Sequence, residues 1–202
     1  MTKTFAILYL LIYSFTAFSQ SKEAIFKADE IVWFGLDFSH AKMIGSEGFK
    51  SPQEVQNKFF DSWNQLILME PEKYNLKETF NKQNIIYDLT IVEKRNANVK
   101  ASELVINKDY SLDKKLIPQI IKTYKSDQKK GIGLVFIVES FNKLRENGTV
   151  FITFFDLATK KVLLTEKVAG AAGGFGLRNY YGRSISNILK QTESDYDRWE
   201  KQ

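Results

Sequence analysis

The sequence predicts an α+β protein, an α/β sandwich in which helices pack on a single mixed five-stranded sheet. Three observations predict this class. Apolar segments with strand character alternate with segments of helical periodicity over the first part of the chain. Three strand-like segments then follow one another, separated by turn residues. Neither an internal repeat nor a Gly/Pro/Ser-rich linker interrupts the pattern, so we expect one domain over residues 31–202.

The composition excludes several classes of protein. The chain has 202 residues, of which 44% are hydrophobic, enough for one large core and too many for a disordered or collagen-like protein. The net charge of +5 is spread along the chain, so nucleic acid is not an expected partner. The absence of cysteine rules out disulfides and thiol catalysis. The single histidine, His40, excludes a multi-histidine metal site. We expect no metal centre and no cofactor.

Residues 1–19 have the pattern of a secretory signal peptide. Lys3 precedes an apolar run of about 14 residues, which is shorter than the roughly 20 residues of a membrane-spanning helix. Small residues, Ala17 and Ser19, occupy the two positions that signal peptidase recognises. We expect cleavage between Ser19 and Gln20, a periplasmic or outer-membrane-associated location, and a mature chain without a transmembrane segment. The alternative is an uncleaved amino-terminal anchor.

The first elements follow a polar segment, residues 20–30, that is predicted to be a flexible leader. Residues 31–44 are rich in aromatic and aliphatic side chains and are predicted to form the first strand. A helix is expected to begin after Ser51, which can cap it, with Pro52 in its first turn. Its apolar residues recur at helical spacing, as expected for a helix that covers a sheet: Val55, Phe59, Trp63, Leu66 and Ile67.

The middle of the chain adds a strand and a helix. Residues 84–93 (NIIYDLTIVE) are predicted to form the second strand. Residues 111–124 show helical periodicity, which Pro118 complicates because an interior proline costs about 3 kcal/mol. The helix is therefore expected either to kink at Pro118 or to begin near Leu116. A further short helix is expected within residues 72–80.

Three consecutive strands and a long helix complete the pattern. Residues 133–141 form an apolar run typical of a central strand. Asn147 and Gly148 predict a two-residue hairpin turn, and the next strands are expected at 149–157 and 162–169. A helix over 178–201 ends the chain. The resulting order, β-α-β-α-β-β-β-α, permits parallel pairing of the first three strands and an antiparallel meander of the last three.

The segment 149–170 (TVFITFFDLATKKVLLTEKVAG) contains a strand that ends in an Asp-x-x-Thr-Lys turn and a second strand that ends at a glycine. In these residues the chain resembles the α/β modules of envelope proteins, namely the TolB amino-terminal domain and CsgG-like secretion components. Over its whole length it looks more like an uncharacterised exported family of Bacteroidota type. The resemblance implies an envelope module and transfers no catalytic residues.

Three carboxylates stand in otherwise apolar strands: Asp37, Asp88 and Glu139. If the three strands are neighbours, these side chains converge on one face, where carboxylates bind a hard cation or share a proton. The alternative is that each lies on a partly wet face and pairs with a lysine or arginine.

His40 continues the apolar face of the first predicted strand, two residues after Phe38. Its neighbour Ser39 points to the opposite face of a regular strand, and so does Asp37. A nucleophile, base and orienting acid must lie within hydrogen-bond reach, so this arrangement is poor for a catalytic triad. A structural role is therefore predicted for His40, and we expect no catalytic residues.

Residues 170–176 (GAAGGFG) lie between a predicted strand and a helix, where phosphate-binding loops occur. The loop lacks the Gly-Lys-Ser/Thr ending, and Asn179 occupies the place of the third glycine of a dinucleotide motif. Three interpretations stay open: an anion site beside an arginine, a closely packed turn, or an aromatic contact loop. The candidate binding residues of this segment are Gly173, Gly174, Phe175, Gly176, Arg178, Tyr180 and Tyr181.

These patterns together predict an exported binding or assembly module without catalytic activity. Its expected partner is an envelope protein or a second copy of the chain. The first alternative is a small-ligand or cation-binding protein that uses the carboxylates or the Gly-rich loop. A less favoured alternative is a hydrolase built on Asp37, His40 and Glu139, which requires at least two of these side chains in one pocket.

Overall fold

A seven-stranded mixed sheet with helices on both faces organises the chain, in a computed structural model that describes residues 21–201. The α/β class matches the prediction, and the predicted number of strands was wrong, because two short parallel strands were not recognised. The strands are β1 (Glu30–Asp37), β2 (Lys42–Ile44), β3 (Asn84–Tyr87), β4 (Val105–Ile106), β5 (Ile132–Asn142), β6 (Asn147–Asp156) and β7 (Val162–Ala171).

Eight α-helical segments surround the sheet within residues 21–201. They are α1 (Glu23–Lys27), α2 (Pro52–Glu54), α3 (Phe60–Met69), α4 (Leu76–Thr79), α5 (Thr90–Ala97), α6 (Ala101–Leu104), α7 (Ile117–Lys122) and α8 (Leu177–Lys201). A π-helical turn, Val55–Phe59, joins α2 to α3, and 3-10 turns occupy Ser46–Gly48 and Lys114–Leu116.

Strand β5 is the centre of the sheet. One of its edges pairs antiparallel with β6, which in turn pairs antiparallel with β7. Its other edge is shared, because the first half pairs parallel with β1 and the second half parallel with β2. Strand β3 lies beside β1, and β4 lies beside β2, both in parallel orientation. The antiparallel meander of the last three strands is therefore as predicted.

The predicted first strand, residues 31–44, is divided into β1 and β2. A register shift between Trp33 and Leu36 contains Gly35, whose φ of 105° is in the left-handed region. The chain then leaves the sheet after β1, and the turn closes with a 2.9 Å hydrogen bond from the Ala41 amide to the Phe38 carbonyl. The sequence pattern does not reveal this break, because apolar residues continue through it.

Two buried asparagines take the place of a neighbouring strand at the end of β1. The amide of Leu36 donates to Asn64 Oδ1 at 2.7 Å, and Leu36 O accepts from Asn64 Nδ2 at 3.2 Å and from Asn96 Nδ2 at 3.0 Å. The amide of Phe38 donates to Asn96 Oδ1 at 2.7 Å. Because buried backbone groups must be paired, these side chains permit the strand edge to lie in the core.

The predicted second strand, residues 84–93, was wrong in its second half. Strand β3 ends at Tyr87 and helix α5 begins at Thr90. The Thr90 amide donates to Asp88 Oδ1 at 3.2 Å, so this carboxylate satisfies a free N–H at the start of the helix. The β-branched residues at its start have low helix propensity, and the helix packs against β1.

The turn between β5 and β6 lies four residues earlier than predicted. Residues 143–146 form it, and Asn147 and Gly148 are paired strand residues opposite Asn142 and Phe141. The side-chain oxygen of Asn142 accepts from two amides within the turn. Gly148 is required by packing instead, because a Cβ there would lie 2.6 Å from Ser184 Oγ of α8.

Both faces of the sheet are covered by aromatic packing. On one face Phe141 stacks on Tyr181 at 4.4 Å and meets Trp63 edge-on at 4.8 Å. On the other face Tyr124, just after α7, contacts Phe34 and Phe155. Helix α7 begins at Ile117, which agrees with the expected start near Leu116 and leaves Pro118 in the first turn.

The amino-terminal residues of the described part differ from the predicted flexible leader. Residues 23–27 form α1, and Ile25 is fully buried. Lys82 Nζ donates to the Ile25 carbonyl at 2.8 Å, and burial lowers the pKa of this lysine. The predicted signal peptide lies outside the described residues. No helix within 21–201 has the length and apolar character needed to cross a membrane.

Candidate functional site

The three carboxylates singled out in the sequence do not form one cluster. Asp88 accepts from the first amide of α5, whereas Asp37 and Glu139 each have their own hydrogen-bond partners and their own basic residue. Within residues 21–201, no group of three or more histidine, aspartate or glutamate side chains is placed to hold a metal ion. The arrangement therefore corresponds to separate, individually paired carboxylates.

Asp37 lies at the carboxyl end of β1 and is fully buried. Its Oδ2 accepts from Arg95 Nε at 2.8 Å and from the Tyr124 hydroxyl, and its Oδ1 accepts from the Ser39 amide at 2.8 Å. The pKa of Tyr124 is raised well above its ordinary value, first by burial and then by the nearby Asp37 charge. Tyr124 therefore stays protonated and remains a hydrogen-bond donor.

Arg95 connects three segments of the chain around this carboxylate. Its Nη2 donates to Ser39 Oγ at 2.8 Å and its Nη1 to Thr123 Oγ1 at 2.6 Å. The guanidinium also lies 5.0 Å from the centre of the Tyr124 ring, within cation–π distance. The side chain is only 19% exposed, so the ion pair with Asp37 is largely shielded from water. This geometry joins β1, α5 and the end of α7.

His40 follows this site but is not part of its hydrogen-bond network. Its carbonyl accepts from the Tyr110 hydroxyl at 2.8 Å, and no described residue forms a hydrogen bond with its imidazole. Burial lowers the pKa of His40, and the charge of Arg95 acts in the same direction, against the opposing effect of Asp37. The histidine lines a cleft of about 320 Å³ together with Ser39 and Tyr110.

Glu139 lies at an irregularity of β5, where the register with β6 shifts between Val138 and Ser140. Only 3% of Glu139 is exposed. It accepts from Ser111 Oγ at 3.0 Å and from the Leu112 amide at 2.9 Å, and Lys167 Nζ lies 2.8 Å away. Through these hydrogen bonds Glu139 links residues 111–112, which precede α7, to the sheet.

A polar cleft of about 620 Å³ lies beside Glu139. Strands β5, β6 and β7 form its floor, and the segment 109–111 and the β5–β6 turn form its rim. Its lining is Ile44, Asp109, Tyr110, Ser111, Glu139, Ser140, Asn142, Arg145, Asn147, Thr149, Lys167 and Ala169.

The geometry required by the hydrolase alternative is not formed by these three side chains. Asp37 has no exposed surface, and its oxygens are occupied by internal donors. His40 and Glu139 line two different clefts. A general base and its partner must share hydrogen-bond reach of one water, so this alternative gains no support from the structure.

The Gly-rich segment exposes an aromatic side chain. Phe175 is 95% exposed, and it stands between Gly174 with a φ of 108° and Gly176 with a φ of 78°. Left-handed φ values of this kind favour glycine, since other residues meet a steric penalty there. The loop closes on α8 through a 3.0 Å hydrogen bond from the Gly173 amide to the Tyr180 carbonyl. The loop thus presents Phe175 to solvent.

The loop is attached to the β5–β6 turn, and we call residues 143–146 together with 172–180 the loop end. Lys143 Nζ donates to the Tyr180 hydroxyl at 2.9 Å, and this hydroxyl donates to Glu146 Oε1 at 2.9 Å. Leu144, at the tip of the turn, is 68% exposed. The loop end therefore carries two exposed apolar side chains on a hydrogen-bonded frame.

One of the predicted loop residues, Tyr181, has different surroundings from those expected. Tyr181 is fully buried between Phe49 and Phe141, so it belongs to the core and not to a contact surface. Burial raises the pKa of its hydroxyl. Arg178 remains at the surface, with one guanidinium nitrogen 3.9 Å from a carboxylate oxygen of Glu70.

Sequence reasoning missed the residues that complete these sites. Arg95 and Lys167 are ordinary surface cations in the sequence, and only the fold brings them to Asp37 and Glu139. Arg95 was further obscured because the segment before it was predicted as a strand. Asn64 and Asn96 occupy helical positions facing the core, and an amide at such a position is a signal that would have identified them.

Comparisons with known proteins do not assign the chain to a family. No family model matches the sequence, and no curated protein matches it. One solved structure is similar, a lipoprotein, GNA1162, from Neisseria meningitidis, with 12% identity over 81% of this chain and 95% of that chain. Its TM-score is 0.33, which does not establish a shared fold. No match supports the resemblance to TolB, to CsgG-like components or to a Bacteroidota family.

Proposed function

We propose that the protein is an exported, envelope-associated binding module without catalytic activity, which contacts a partner protein through the loop end. The observation that carries this proposal is the exposure of Phe175 between two glycines in left-handed conformations. Burying a phenylalanine side chain contributes about 1.5–3 kcal/mol. An exposed aromatic on an ordered loop is therefore available to stabilise a complex, as aromatic anchors do in protein interfaces.

The charges around Phe175 define the chemistry of the partner. Arg178 has a 3.9 Å contact to Glu70 and a 3.4 Å hydrogen bond to Asn179 Oδ1. Arg183, five residues further along α8, forms no salt bridge within residues 21–201. Arginine and phenylalanine are both enriched at interface centres. The expected partner surface is an apolar pocket with acidic residues at its rim, on an envelope protein or on a second copy of the chain. Export is proposed from residues 1–19, whose pattern is that of a signal peptide.

Site-specific photo-crosslinking tests the proposal. A photoreactive phenylalanine analogue is placed at position 175 in the full chain, expressed in the cells that produce the protein. The same analogue at position 116 is the control, because Leu116 is a partly exposed apolar residue that precedes α7. We expect one discrete adduct from position 175 and none from position 116. Equal labelling at the two positions, or none at 175, would contradict the proposal.

The partner recovered in the adduct is then used to measure affinity. Phe175→Ser should weaken binding of that protein by at least tenfold, since a buried aromatic anchor is lost. Leu116→Ser should leave the affinity unchanged. Thermal unfolding of Phe175→Ser should match the original protein, because the side chain has almost no contacts to lose. An unchanged dissociation constant for Phe175→Ser would show that the loop end is not the contact.

A further inference from the structure

The floor of the 620 Å³ cleft contains nearly buried side chains whose polar atoms lack a hydrogen-bond partner in the described part of the chain and are open to the cleft. Only 5% of Ser140 and 8% of Thr149 is exposed, and neither hydroxyl has a hydrogen-bond partner within residues 21–201. Asn142 is 5% exposed; its Oδ1 accepts from the turn, but its Nδ2 has no partner in the same described part of the chain. These polar atoms are accessible from the cleft, where water or a ligand can form hydrogen bonds with them.

The strand register brings these groups together. Ser140 pairs with Thr149, and Asn142 pairs with Asn147, so the two pairs are neighbours on β5 and β6. Directly opposite residues on adjacent strands point to the same face, as do residues two apart along one strand. All four line the cleft. The result is a compact patch of uncharged donors and acceptors that is open to a ligand in the cleft.

The charges of the cleft are already neutralised within the protein. Lys167 lies 2.8 Å from Glu139, and Arg145 lies 2.9 Å from Asp109. The lining therefore holds two cations and two anions in pairs, with a formal sum of zero. A charged ligand would compete with these ion pairs, whereas an uncharged polar ligand would not. The unpaired groups thus favour a neutral molecule rich in hydroxyls.

Apolar and aromatic side chains complete the lining. Ile44 and Ala169 border the polar patch, and Tyr110 stands at the rim. The Tyr110 hydroxyl donates to the His40 carbonyl, which leaves its ring for contact with a ligand. Alternating hydroxyls and apolar C–H surface are the two features of a sugar ring. The cleft volume is within the range of about 300–1,000 Å³ that small-molecule sites occupy.

We propose that this cleft binds a neutral carbohydrate, one to three pyranose units of a longer glycan. Sugar hydroxyls would donate to and accept from Ser140 and Thr149, and would accept from Asn142 Nδ2. The inference goes beyond the proposed protein-binding function, because it uses side chains on the sheet face and not Phe175. It assigns the protein a second contact, to a polysaccharide rather than to a protein.

Titration calorimetry with defined sugars tests the proposal on the chain without residues 1–19. The probes are maltotriose, cellotriose and tri-N-acetylchitotriose as neutral trisaccharides, with glucuronic acid and glycylglycine as charged compounds of smaller size. We expect saturable binding of at least one neutral trisaccharide. Binding of only the charged compounds, or of none of the probes at about 10 mM, would overturn the proposal.

Isosteric variants identify the site. Thr149→Val removes one hydroxyl from the cleft floor and should weaken sugar binding roughly 2- to 13-fold, the effect of one hydrogen bond. Thr165→Val is the matched control, since Thr165 lies on β7 outside the cleft lining and bonds to Thr153. Sugar binding that responds equally to both variants would contradict the site. Phe175→Ser should bind sugar normally, which separates this proposal from the protein contact.

Discussion

Removing the charge of Asp37 tests whether this buried carboxylate is structural. Asp37→Asn keeps the shape of the side chain but replaces one acceptor oxygen with an NH2 group. Arg95 then loses its anionic partner while it stays four-fifths buried, and the Tyr124 hydroxyl or the Ser39 amide faces a donor instead of an acceptor. We expect a folded but strongly destabilised protein.

The magnitude follows from the loss of one partner of a buried ion pair, which costs about 3–5 kcal/mol. Single domains have unfolding free energies of about 5–15 kcal/mol, so the variant would keep a reduced margin of stability. For a chain of this size, 1 kcal/mol shifts Tm by about 2–4 °C, and the expected decrease is therefore roughly 6–20 °C. Urea unfolding monitored by circular dichroism measures the free energy of unfolding and its dependence on urea concentration, and thermal unfolding measures Tm.

Asp88→Asn provides the control for the same chemical change. Asp88 accepts one backbone hydrogen bond at the start of α5, and asparagine caps helices about as well as aspartate. The control should therefore stay within about 0.5 kcal/mol of the original protein. If Asp37→Asn were as stable as Asp88→Asn, with an unchanged urea dependence, the ion pair with Arg95 would not hold β1, α5 and α7 together.

Three further predictions address other parts of the fold. Asn96→Leu should lower the free energy of unfolding by about 1–3 kcal/mol, because the buried Phe38 amide loses its acceptor; urea unfolding measures this. Gly148→Ala should lower Tm, since its Cβ would meet Ser184 Oγ at 2.6 Å, and overpacking costs about 1–3 kcal/mol. Because burial lowers the pKa of His40, the folded protein binds its proton less readily than the unfolded chain does. The stability it contributes should be complete above pH ~6.5 and decrease as the pH falls through the lowered pKa, so His40→Asn should reduce the difference in urea stability between pH 7.5 and pH 5.

Local patterns in the sequence were enough to predict the class and much of the element order. The apolar run at 133–141 gave the central strand, the alternating segments after it gave the meander, and the helical stripe over 178–201 gave α8. These features are short-range, since burial on one or both faces imposes a period on the chain itself. The glycines around Phe175 likewise predict an irregular loop, and two of them have positive φ values in the structure.

The tertiary structure decided where strands break and which side chains meet. No local signal shows that the segment 31–44 leaves the sheet after Asp37, because the break depends on Asn64 and Asn96, which arrive from other helices. Nor does the sequence show that Asp37 and Glu139 have separate basic partners, or that Ser140 and Thr149 are paired across two strands without a partner of their own. Each of these facts depends on residues distant in the chain. The period of apolar residues is a property of one segment, whereas the hydrogen bonding of a buried polar group depends on everything that packs around it.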